Sequence, residues 1–188
     1  MMHLRNNQFG LTLLEMMIAV SLFTIVMLIS TTLFIRAIDS QQRSVNSKEL
    51  QEGLNFALAY MANEATGVLQ DPSTDCISVP LSCASTNFFC TDNSDAELLF
   101  TNANGNCVVF EIANDDSSIP RLQMTRGAAV DFITPASIRI TALKFSVSNT
   151  DDATYPIGRA TMSITGQTLA GQEYSETLRL QTTVANWP

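Results

Sequence analysis

A single carboxylate, Glu15, stands at the mouth of the uncharged run Met16 to Ile35, and its position demands a chemical reason. An ionised side chain in hydrocarbon costs about 2.5–3.5 kcal/mol on insertion scales, and groups tolerated there usually have a partner. A cation at the same depth would compensate the charge. The other titratable residues offer less. His3 is the only histidine and precedes the apolar run, so a chain trimmed of its first ten residues has none. That removes histidine acid–base chemistry, serine triads of the usual kind and histidine metal sites. No Gly-x-Ser-x-Gly, Walker or dinucleotide Gly-rich motif is present. Asp92, Asp95 and Glu97, the pair Asp115 and Asp116, and the pair Asp151 and Asp152 carry the hard oxygens calcium prefers, but without the EF-hand spacing or its closing glutamate. They read first as solvated turns. The chain is expected to be no enzyme, with no catalytic residue, metal or cofactor.

The cysteines form a second set. Cys76, Cys83 and Cys90 are separated by six residues each and Cys107 follows after sixteen, which is not the paired spacing of a structural zinc site. An even count in an exported chain favours two disulfides over free buried thiols. Three pairings are open, and the shortest loops favour Cys76 with Cys83 and Cys90 with Cys107.

These residues need elements to hold them. Met16 to Ile35 is 20 residues long and is followed by Arg36. At about 1.5 Å per residue it spans roughly 30 Å, the thickness of a bilayer core, and it is longer than the hydrophobic region of a cleaved secretory signal. Arg5 lies on one flank and Arg36, Arg43 and Lys48 on the other, so counting positive charges does not orient it. Ser21, Thr24, Ser30, Thr31 and Thr32 within the run can bond to carbonyls one turn back or to neighbouring helices. Met16, Met17 and Met27 read as apolar filler.

Past the run, Leu50, Leu54, Ala57, Leu58, Met61, Ala62 and Ala65 recur at three- and four-residue spacing, the mark of a helix with one covered face. No proline interrupts Leu11 to Gln70. A continuous helix from Leu11 to about Thr66 is therefore expected, roughly 84 Å long, with Gly67 as its stop. From Leu69 to Asp95 the prolines, serines and three cysteines predict an irregular excursion. After Asp95 the pattern turns to period two, with strands expected at 97–102, 106–113, 121–125, 130–134, 137–148, 159–166 and 175–184, and an Asn104-Gly105 hairpin between the first two. Short connections make them antiparallel. The expectation is an α+β fold: a long N-terminal helix packed against an antiparallel sheet of six or seven strands.

The 188 residues leave room for one spanning helix and one soluble domain of about 120 residues. From Ala65 onward the chain carries 6 basic and 13 acidic residues, a balance that disfavours long-range attraction to nucleic acid or anionic lipid. No direct nucleic-acid contact is expected.

Gly10, an apolar residue, Thr12-Leu13-Leu14-Glu15 and a long apolar helix together resemble the class III signal of type IV pilins and type II secretion pseudopilins. The likeness covers about the first 60 residues, and Leu11 stands where most members have phenylalanine. It implies cleavage by a prepilin peptidase between Gly10 and Leu11, N-methylation of Leu11, and Glu15 as the counter-charge during assembly with other pilin or pseudopilin subunits on an inner-membrane platform driven by a cytoplasmic ATPase. It implies a leader at 1–10, a membrane and filament-core helix at 11–36, an amphipathic spine at 37–68 and a soluble β-rich domain at 69–188, with a Cys-rich loop at 69–95. The chain would sit in the inner membrane with its soluble domain outside the cytoplasm, then enter a pilus or pseudopilus. The unkinked helix and strand-rich C-terminal half resemble W-type minor pilins and J-type pseudopilins. A signal-anchored binding or sensor module, which would keep residues 1–10, and an anchored carboxylate hydrolase are the competing readings.

Overall fold

A computed structural model describes residues 12–69, 88–92, 94–150, 157–169 and 176–186. The chain divides into two units, Met1–Ser44 and Val45–Pro188. One helix, α1, runs over Leu13–Glu64 for 52 residues. In the first unit its apolar side chains are exposed, Leu28 at 69 % and Phe34 at 66 %, so they meet no protein there.

In the second unit the helix is a core element. Leu50, Leu54, Ala57, Leu58 and Met61 are buried, while Gln51, Glu52, Asn55 and Asn63 between them are exposed, as the three- and four-residue spacing requires. The helix ends at Glu64, two residues short of the expected limit. Gly67 takes a left-handed φ of 74° just beyond, a conformation that glycine adopts without the Cβ penalty.

Eight strands follow: β1 Cys90–Thr91, β2 Leu98–Thr101, β3 Cys107–Asn114, β4 Pro120–Arg126, β5 Ala129–Phe132, β6 Ile138–Thr150, β7 Ile157–Thr168 and β8 Thr177–Asn186. Seven match the period-two segments. The short β1 falls inside the stretch read as irregular, because two residues are too few to show alternation. All pairings are antiparallel, but the strands form two sheets, ordered β1-β2-β3-β4-β5 and β6-β7-β8, where one was expected. The division follows β5. There Ile133 still donates to the Leu122 carbonyl, Thr134 Oγ1 accepts from the Leu122 amide, and Pro135 then removes the next backbone donor, so the chain leaves the ladder before β6.

Helix and sheets share one core. Leu98, Phe100, Val108, Phe110, Leu122 and Met124 come from the larger sheet, and Ile138, Ile140, Leu143, Phe145, Met162 and Ile164 from the smaller. The register of β6 against β7 slips between Ile140 and Ala142, and this bulge lets both Ile140 and Leu143 face inward. Arg126 ion-pairs with Glu64 and lies 3.4 Å from the Tyr60 hydroxyl, tying β4 to the last turns of the helix. The Asn-Gly hairpin forms as expected: Gly105 sits at φ 80°, and Asn102 Oδ1 accepts from the Asn104 and Asn106 amides at 3.1 Å each.

Gly158 on β7 faces Phe88 so closely that a Cβ there would stand 2.5 Å from the Phe88 Cβ. Both lie on backbone held by the core, so neither yields cheaply. Gly158→Ala is expected to cost about 1–3 kcal/mol by overpacking. In a thermal melt of the detergent-solubilised chain that is a fall of several degrees in the midpoint; an unchanged midpoint would mean that the contact does not hold the fold.

Candidate functional site at the helix start

The chemistry expected of the N-terminal segment needs a carboxylate at the start of an apolar helix, and the local hydrogen bonds show how the backbone that carries it is held. The Thr12 carbonyl accepts from the Glu15 amide at 3.0 Å and the Met16 amide at 3.2 Å. Thr12 Oγ1 also accepts from the Glu15 amide at 3.3 Å. Thr12 is therefore the N-cap of α1, and Glu15 occupies the third helical position, the Thr-x-x-Glu spacing of a capping box. A carboxylate in this first turn also meets the positive end of the helix dipole. Reading Thr12 only as part of a signal missed this local role, although the spacing was visible ahead of the apolar run. Gly10 and Leu11, the residues of the expected cut, lie outside the described residues.

Beyond Glu15, α1 contains a stretch long and apolar enough to cross a membrane. Four of the five hydroxyls in the run Met16 to Ile35 are satisfied within the helix. Ser21 Oγ donates to the Ile18 carbonyl and Thr24 Oγ1 to the Ser21 carbonyl, both at 2.8 Å. Thr31 Oγ1 donates to Met27 at 2.9 Å and Thr32 Oγ1 to Leu28 at 3.0 Å. A side chain bonded to its own helix carries little polar cost into hydrocarbon, so these residues do not interrupt the span.

The acidic turns have a different use. Asp92 Oδ1 accepts from the Ala96 amide at 2.7 Å and the Glu97 amide at 3.0 Å, and its Oδ2 accepts from the Ser94 amide and hydroxyl. Burial opposes the charge, but the Ser94 hydroxyl and the Glu97, Ala96 and Ser94 amides outweigh it and hold the carboxyl below its ordinary value. Asp115 Oδ1 accepts from Ile119 at 3.0 Å and Ser117 at 2.9 Å, and its Oδ2 lies 3.6 Å from Arg121. The Ile119 amide is the main cause of its lowered pKa; burial opposes, and the Ser117 amide and Arg121 add to it. Glu97 is pushed the other way by burial and by the charges of Glu111 and Asp92. The Asp92 and Asp115 carboxylates thus close turns. Asp151 and Asp152 lie outside the described residues.

Cys90 and Cys107 are buried with Leu99 and Val109 in a small cluster. Each is disulfide-bonded. They are not bonded to one another: Cys90 faces Leu99 on β2, Leu99 faces Val109 on β3, and Cys107 lies two residues from Val109 along that strand. Two strand spacings of about 4.8 Å already exceed the roughly 7 Å that a disulfide can span between Cα atoms. The shortest-loop pairing of Cys90 with Cys107 is thus corrected. Loop entropy is a property of the unfolded chain, whereas the folded sheet places β2 between the two sulfurs. Cys76 and Cys83 lie outside the described residues.

Residues 5–31 match the family model described as the prokaryotic N-terminal methylation motif. The match supports a class III signal of the pilin and pseudopilin type at the start of the chain, a signal whose bearers are generally structural. It fits a precursor processed by a prepilin peptidase, anchored by one membrane span and assembled with other subunits. No curated protein and no solved structure matches the chain.

Proposed function

We propose that the chain is a minor pilin or pseudopilin, a structural subunit that assembles into, caps or primes a type IV pilus or a type II secretion pseudopilus. The observation that carries this reading is a conjunction: the methylation motif at residues 5–31 coincides with the start of an exposed apolar helix whose first turn holds Glu15 behind a Thr12 cap. Cleavage after Gly10 creates an ammonium at Leu11, which the peptidase methylates. In the growing filament Glu15 of one subunit compensates the Leu11 ammonium of another, so that the pair removes both charges from hydrocarbon and fixes axial register. The apolar stretches bundle and the β-rich domains face outward, outside the cytoplasm. The layout resembles that of W-type minor pilins and J-type pseudopilins. Shearing filaments from cells that express the chain tests this: it is expected in the sheared fraction only where the assembly machine is intact, and a chain confined to membranes in both cases would contradict it.

The disulfides of Cys90 and Cys107 bear on the same domain. With those two sulfurs too far apart to join, we infer that their partners are Cys76 and Cys83, a pairing that would tie the Cys-rich stretch before β1 to β1 and β3. Each bond would contribute about 2–4 kcal/mol by restricting the unfolded chain. Non-reducing peptide mapping is expected to join the Cys76 and Cys83 peptides to those of Cys90 and Cys107. A Cys76–Cys83 link, or four alkylatable thiols, would refute it.

A further inference from the structure

The acidic balance of the chain conceals a segregated basic face. Of the six basic residues after Ala65, Arg121 and Arg126 pair with Asp115 and Glu64. The other four, Arg139, Lys144, Arg159 and Arg179, are exposed and share the outer face of the β6-β7-β8 sheet. The register places them there: on β7 the even-numbered residues Ala160 to Ile164 are buried, so Arg159 and its odd-numbered successors face out. Lys144 lies opposite Ser163, Arg139 opposite Gln167 and Arg179 opposite Thr165. The remaining described positions of this face are serine, threonine, glutamine, Ala142, Ala185 and, at the start of β7 beyond Arg159, the half-buried Ile157. Among the described residues it carries no carboxylate and no aromatic ring, and its one large apolar side chain, Ile157, lies at the margin and not at the centre.

This composition selects a partner. A protein interface would present an apolar or aromatic centre, and a single-stranded nucleic acid would be met by stacking rings. A lipid surface would be met by apolar residues able to enter the acyl boundary. Arginine and lysine set among serine, threonine and glutamine are the side chains that contact duplex phosphates without reading bases. At about 6.8 Å for every second residue and 4.8 Å between strands, the four cations span about 27 Å by 10 Å, the length of about eight base pairs. Gln167 bonds Thr177 at 2.8 Å, and Arg179 Nε bonds Ser163 Oγ at 2.9 Å, which holds the guanidinium on the face with donors to spare.

We propose that the outer face of the β6-β7-β8 sheet binds the phosphate backbone of double-stranded nucleic acid without sequence preference. The proposal is independent of the filament reading, since it concerns exposed strands of the second unit alone. Binding by one copy is weak and strongly dependent on salt; many copies on one assembly would multiply it.

The test is fluorescence anisotropy of a labelled mixed-sequence duplex with the full chain in a non-ionic detergent. Four phosphate contacts predict a slope of log K against log salt of about −3.6, a loss of about 150-fold between 50 and 200 mM. Arg179→Gln is expected to make the slope shallower by about 0.9, and the combined variant R139Q/K144Q/R159Q/R179Q to abolish binding with an unchanged thermal melt. An acidic polysaccharide and vesicles of anionic lipid serve as the other arms. Absence of duplex binding at low salt, binding that survives the combined variant, or retention of either competitor at salt that releases the duplex would overturn the proposal.

Discussion

Glu15→Val is expected to leave the chain cut at Gly10 and held in the membrane, yet absent from filaments. An apolar residue at the start of the span is easier to insert than a carboxylate, so anchoring does not suffer. Assembly does, because the Leu11 ammonium of a neighbouring subunit is left without a counter-charge. Breaking one side of a buried pair costs about 3–5 kcal/mol, which is two to nearly four powers of ten in the assembly equilibrium. Thr12 complicates the interpretation, since its hydroxyl accepts from the Glu15 amide and the residue doubles as part of a helix cap. Glu15→Gln separates the two roles. Glutamine serves at the third position of a capping box as glutamate does, so a capping role predicts normal incorporation, while the counter-charge role predicts failure close to that of Glu15→Val. Quantifying the chain in sheared filaments decides between them, and normal incorporation of Glu15→Gln would end the ion-pair account.

Gly10→Val is expected to block processing nearly completely. The peptidase has to approach the backbone at the cut, and a branched side chain there crowds it in a way that glycine does not. The uncut precursor should stay in the membrane with its leader attached and should enter no filament, so the loss exceeds that of any Glu15 variant. A gel shift against the cut chain reads the outcome, and processing of Gly10→Val at the normal rate would make the cleavage assignment wrong.

Much of the fold was legible because its signals are local. The spacing of Leu50, Leu54, Leu58 and Met61 marks the covered helix face, and the alternation along 159–166 marks β7 with its buried residues on the side the sequence indicates. The division into two sheets was not legible. It depends on where the chain leaves β4 after Ile133 and Thr134, a long-range pairing that periodicity does not encode. The same limit explains the cysteines: spacing measures loop length, whereas β2 between Cys90 and Cys107 becomes visible only with the register. Net charge carries no information on placement. The overall balance is acidic, yet each of Arg139, Lys144, Arg159 and Arg179 directly precedes a residue buried in the core or packed against it, an alternation that places all four on one side of a sheet. At the candidate site, Glu15 stood out from the cost of its charge alone, while Thr12 required recognising a four-residue cap.

The central claim is that this chain becomes a filament subunit by losing its first ten residues. The mass of its N-terminal peptide, isolated from native cells, tests that most directly. The account predicts a peptide that begins at N-methylated Leu11; a peptide that begins at Met1 or Met2 would contradict it and leave a signal-anchored module in its place.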